Sequence, residues 1–150
     1  SNYMSMYQQF KTDTQAERKG IVLDYGDFRV TIARAGGANK RFQKTLEART
    51  RHLKRLIQTD SLDNEQAEPI VREVYAEAVV LDWELKQPDG SWVQGIEGPG
   101  GEVLPVNKEN ILLTFNNLPD LFADVKEQAL KASLFRSALK EEAAKNSPSA

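Results

Sequence analysis

The chain has 150 residues, with 20 basic and 22 acidic side chains and a formal charge of −2. It has no cysteine and one histidine, which excludes disulfides, thiolate metal sites, cysteine nucleophiles and multi-histidine metal centres. Hydrophobic residues make up 40%, enough for the core of one domain, and no apolar run approaches the roughly 20 residues of a membrane helix. The first residues show no charged-apolar-small pattern, so no export signal is expected. What remains is a cytoplasmic domain short of catalytic parts, for which no enzymatic activity, cofactor or metal is expected.

The near-neutral total hides an asymmetry. Residues 1–60 carry 12 basic and 6 acidic side chains, and residues 61–150 carry 8 basic and 16 acidic ones. Such a split suits a basic arm for an acidic partner. It equally suits head-to-tail self-association, in which the basic part of one copy meets the acidic part of the next.

Ser1 to Tyr3 read as a remnant ahead of Met4. The whole stretch 1–20 is polar and is expected to be a loosely held arm. Ile21 to Ala35 read as a β-hairpin. Ile21-Val22-Leu23 and the alternating Phe28, Val30 and Ile32 are strand residues, and Asp24-Tyr25-Gly26-Asp27 supply the turn. Gly36-Gly37 break the pattern, and Asn39 is placed to cap a helix running to about Gln58. Phe42, Leu46, Leu53 and Ile57 form its apolar stripe. Asp63 and Gln66 have capping-box spacing. The helix they open is expected to run to about Leu85, with Ile70, Val71, Val74, Tyr75, Ala78, Leu81 and Leu85 on a broad apolar face.

Gln87 to Val106 are irregular, with Pro88-Asp89-Gly90 as a turn and a Gly-rich excursion from Gln94 to Gly101. A short hairpin around Trp92-Val93 fits there. Asn107 caps a short helix through Phe115, and Asp120 opens a last helix of about 25 residues. Residues 147–150 read as a flexible tail. The expected fold is therefore mainly α (α+β), a helical single domain over 21–146 with a small N-terminal β-hairpin and a Gly-rich excursion before the last two helices.

Few residues carry chemistry. His52 alone makes no triad and reads as an ordinary surface histidine. Gly36 to Lys40 resemble a phosphate cradle but lack the spacing of one, and read as a strand-to-helix turn. Glu73 with Glu77 and Glu141 with Glu142 are paired carboxylates without a histidine or aspartate beside them. The basic face of the 40–55 helix, with Lys40, Lys44, Arg51, Lys54 and Arg55, could neutralise phosphates. It has no interleaved aromatic platform, so a solvated or protein-docking face is preferred to nucleic acid. Val79, Val80 and Trp83 enlarge the apolar surface at the end of the 63–85 helix. Core burial accounts for them most simply, and a partner-facing patch is the alternative. The candidate partner-binding set is Lys40, Lys44, Arg51, Arg55, Val79, Val80 and Trp83.

Three blocks occur in order: Ala33 to Phe42 with Leu46-Glu47, then Val74 to Glu84, then Pro105 to Asn110 with Leu118 to Phe122 and the helix through Phe135-Arg136. Over about residues 20–146 the pattern resembles the tail assembly chaperones of long-tailed bacteriophages and prophages. None of the blocks is a catalytic signature. The resemblance implies a small helical protein that coats the tape measure protein, recruits tail tube subunits, self-associates, and is absent from the mature virion. It also implies that this chain is the short form of a pair whose longer form arises by frameshifting. The alternatives are a structural tail or connector component of the virion, and a nucleic-acid-binding module built on residues 40–55. No membrane partner is expected.

Overall fold

Residues Ile21–Asp24 (β1) and Phe28–Ile32 (β2) form the expected antiparallel hairpin, in register from Ile21 opposite Ile32 to Asp24 opposite Arg29. The Asp24 carboxylate accepts the Gly26 N–H at 2.8 Å, and Gly26 has φ +89°, a conformation open to glycine at no steric cost. In the computed structural model, which describes residues 5–137, this hairpin is half of a larger sheet. Val80–Lys86 (β3) pairs with β2, and Trp92–Gln94 (β4) pairs with β3, all antiparallel, in the order β1-β2-β3-β4. Ile96–Glu97 (β5) and Val103–Leu104 (β6) make a separate two-stranded sheet.

The helices are Met6–Phe10 (α1), Thr14–Lys19 (α2), Lys40–Thr50 (α3), Lys54–Gln58 (α4), Asn64–Ala78 (α5), Lys108–Asn117 (α6) and Pro119–Leu130 (α7). The protein is thus an α+β fold, and the expected mainly α class is wrong. The error lies at one junction. The helix opened by the Asp63–Gln66 capping box ends at Ala78 instead of Leu85. The chain then turns directly into β3, the longest strand of the sheet, which pairs with β2 on one side and β4 on the other.

The cause is a β-bulge. The β2–β3 register shifts between Thr31 and Ile32, so that Val30 faces Trp83 while Ile32 faces Val80. Leu81 and Asp82 then both leave the core side, and Val80, Trp83 and Leu85 lie against it. An extra residue in a strand breaks the period of two. It also leaves Ala78, Leu81 and Leu85 at helical spacing. The β-branched pair Val79-Val80 favours the strand.

Three smaller departures follow. The 39–58 helix is interrupted by a 3₁₀ turn at Arg51–Leu53. The last helix stops at Leu130, before a 3₁₀ turn at Ala132–Phe135. The Gly-rich stretch is less of an excursion than expected, because β4 joins the main sheet and Ile96 is buried. The remnant Ser1 to Tyr3, the Glu141–Glu142 pair, the rest of the expected last helix and the tail 147–150 lie outside the described residues.

The expected loose arm is tied down. Asp13 N–H donates to the Phe135 carbonyl at 2.7 Å, and Ser137 N–H donates to the Lys11 carbonyl at 2.8 Å. The core joins one side of the sheet, through Val30, Ile32 and Trp83, to Tyr75 of α5, Phe115 of α6 and Phe122 of α7. Tyr25, Phe28 and Trp83 stack in succession, with centroids 4.8 and 5.9 Å apart. Trp83 continues to Phe115, and Phe115 to Phe122. The opposite side of the sheet carries an Arg29–Glu84 pair at 2.8 Å, with the Arg29 guanidinium 4.1 Å from the Trp92 ring centre.

Candidate functional site

The glycine turn before α3 is already occupied. Glu17 of α2 reaches into it, although Glu17 is almost fully buried, at 2% exposure. Its carboxylate accepts the Ala38 N–H at 3.2 Å, the Arg34 Nη1–H at 2.9 Å and the Thr12 hydroxyl at 2.8 Å. Burial alone would raise its pKa, but these hydrogen bonds and the Arg34 charge hold it below the usual carboxylate value. Gly37 is required beside it. Gly37 has φ +54°, and a Cβ there would collide with the Glu17 carboxylate. The cradle-like residues Gly36 to Lys40 therefore hold an internal anion.

Asn39 does not cap α3. Its side-chain amide instead donates to the Arg34 carbonyl at 2.9 Å and to the Ala78 carbonyl at 3.0 Å. It thus satisfies the end of α5 where the chain turns into β3.

Glu73 and Glu77 belong to a network across three helices. Arg49 of α3 contacts Glu73 at 3.3 Å and Glu77 at 3.0 Å, and Lys108 of α6 contacts Glu73 at 3.0 Å. The hydrogen bond from Arg49 is the main reason the Glu77 pKa is lowered, with Lys108 and Arg41 adding to it and burial opposing it. Both carboxylates are paired with cations, an arrangement that ties α3, α5 and α6 together. Among the described residues no group of three or more His, Cys, Asp or Glu could hold a metal.

Of the candidate partner-binding residues, Val79, Val80 and Trp83 are core, at 0%, 6% and 3% exposure. They present no patch on the folded chain, so core burial is the correct reading of the three. Lys40, Lys44, Arg51 and Arg55 are all exposed, as are Arg41, His52 and Lys54. Among the described residues, none of the four candidates makes an ion pair within 4.0 Å. Ile57, on α4, is 47% exposed beside them.

The second surface was not foreseen in the sequence. Two adjoining depressions run between the β5–β6 hairpin and the α6–α7 corner, sharing Glu97, Thr114 and Leu118. The inner one, about 90 Å³, reaches Phe28, Trp83, Leu85 and Leu121. The outer one, about 590 Å³, is bounded by Gly98, Pro99 and Leu113. Leu113 and Leu118 are 40% and 53% exposed. The charged residues lining the two depressions are Asp27 and Glu97, both acidic. The result is an apolar groove with an anionic rim, the form of surface that receives an amphipathic segment.

The model of the YdaY prophage protein family matches residues 37–146. The chain belongs to the YdaY prophage protein family. The matched segment contains the whole basic surface of α3 and α4, and all of the groove except Asp27 and Phe28. It leaves out α1, α2 and the β1–β2 hairpin, so Glu17 stands outside the segment that carries Gly37 and Ala38. No curated protein and no solved structure matches the chain. Among the described residues no helix is long and apolar enough to cross a membrane.

Proposed function

We propose that this prophage protein is a non-enzymatic tail assembly chaperone, which keeps the tape measure protein soluble in the host cytoplasm, recruits tail tube subunits to it, and is absent from the finished virion. The observation that carries the reading is the apolar groove with an acidic rim, in a member of a prophage family. A long helical client has apolar stripes that aggregate when left uncovered. A shallow groove covers such a stripe weakly, and many copies along one client give high avidity that polymerising tube subunits can displace. The resemblance of the 33–42, 74–84 and 105–122 blocks to tail assembly chaperones supports the same reading.

The test is co-expression with the tape measure protein of the same prophage. Soluble tape measure is expected only when this chain is present, in a complex that can be recovered. Leu118→Asp, at an exposed position on the groove, is expected to reduce the recovered complex at least about tenfold. An insoluble tape measure in the presence of this chain overturns the proposal. Mass spectrometry of purified particles distinguishes a chaperone, which is absent, from a structural tail component, which is present.

A second reading is favoured by the exposed Lys40, Lys44, Arg51 and Arg55, which make no ion pair within 4.0 Å among the described residues. If they grip phosphates, DNA or RNA binding falls steeply with salt and is lost in Lys44→Glu/Arg51→Glu. The net acidic chain and the lack of an aromatic platform on that face argue for no binding at physiological salt.

A further inference from the structure

We infer that the groove at the α6–α7 corner is a docking site for a second copy of this chain, and that its occupant is the basic α4 segment, with Ile57 entering between Leu113 and Leu118. The two surfaces are complementary in both charge and polarity. Asp27 and Glu97 on the groove are exposed acids without an ion-pair partner among the described residues. The α4 segment offers Lys54 and Arg55, both exposed, next to Ile57 at 47% exposure. Lys54 and Ile57 are three apart on a helix and so share a face. A cation and an aliphatic side chain on one face are what an apolar groove with an acidic rim accepts.

The arrangement favours pairing between copies. Helix α5 packs against α3 and also against α6, so it stands between the side of the fold that carries α4 and the side that carries the groove. Filling both surfaces takes neighbouring molecules. The contact joins two different patches, so it is heterologous: each copy offers a groove and a knob, and repetition closes a ring or extends a filament. The opposed charges fix the direction of the row and make its formation salt-dependent. The inference assigns the groove to a neighbouring copy when no client fills it, and it does not depend on what the client is.

The experiment is sedimentation velocity on the whole chain over a range of concentrations, at low and high salt. Concentration-dependent association is expected, weakened about tenfold or more by salt. Asp27→Lys/Glu97→Lys and Lys54→Glu/Arg55→Glu are each expected to sediment as monomers. Combining all four changes in one chain, or mixing the two double variants, is expected to restore association, because opposite charges again face each other. All four residues are exposed, and circular dichroism checks that each variant is folded. Leu118→Asp tests the apolar part separately and is expected to abolish association. A wild-type chain that stays monomeric overturns the inference, as does association unaffected by either reversal, or a fourfold variant that does not recover. Solubilisation of the tape measure is measured on the same variants. If it persists while association proves not to involve these surfaces, the inference fails and the proposed function stands.

Discussion

Replacing Glu17 by alanine lowers the unfolding free energy by about 2–4 kcal/mol, as read from urea denaturation at neutral pH. The substitution removes few apolar contacts, and its effect comes from what it leaves unpaired. The Arg34 guanidinium, 21% exposed, loses its carboxylate, and the Ala38 N–H and Thr12 hydroxyl lose their acceptor. The effect is also spread across the fold, because Glu17 joins α2 to the turn that positions α3. Its pKa is lowered from the ordinary 4.5. The stabilisation by its charge is therefore fully present above that value, and is lost as pH falls through the lower value of the folded state. Glu17→Gln keeps the shape and removes the charge. The stability gap between wild type and Glu17→Gln is expected to be constant from about pH 6 to 7 and to narrow below about pH 4.5. A gap unchanged down to about pH 2 would mean that the carboxylate charge contributes nothing.

Glu17 was not legible in the sequence. It lies in a polar stretch, between Ala16 and Arg18, with no apolar stripe to suggest that it faces inward. Its burial is decided by Gly37, twenty positions away, where the absence of a side chain makes room for a carboxylate. Two local caps were legible. The Asp63–Gln66 capping box forms in both directions, and the Asn107 side chain accepts the Asn110 N–H. These contacts span three residues and depend on nothing distant. Asn39 has the same residue type and the same position before a helix, yet its amide is taken by two distant carbonyls. The Ala78 carbonyl at the end of α5 takes the amide that local preference would have given to α3.

The two surfaces differ in the same way. The basic face lies on consecutive turns of α3 and α4, and periodicity is enough to assemble it. The groove draws on the Asp27 turn, β3, β5 and α6. Those segments meet only because β3 is a strand, so mistaking it for a helix hid the groove as well as the sheet. One bulge accounts for both failures.

Trp83→Ala is expected to cost about 3–5 kcal/mol, the range for removing a large buried aromatic side chain. Trp83 is 3% exposed and stands between Phe28 on the sheet and Phe115 on α6, so its removal opens the core where strands and helices meet. The inner depression already reaches this indole, and deleting it would enlarge that space into the core. The measurement is urea denaturation of the purified chain alone, at a concentration where it is monomeric. A docking residue would show little loss there, because no partner is present to lose. A core residue shows the whole loss. Trp83→Phe retains an aromatic ring at the centre of the stack and is expected to recover more than half of the deficit. If Trp83→Ala changed stability by less than about 1 kcal/mol, the stack would not be holding the sheet to the helices. Variants at this position would then be sound probes of partner binding, whereas by the present packing any loss of binding they show follows from unfolding.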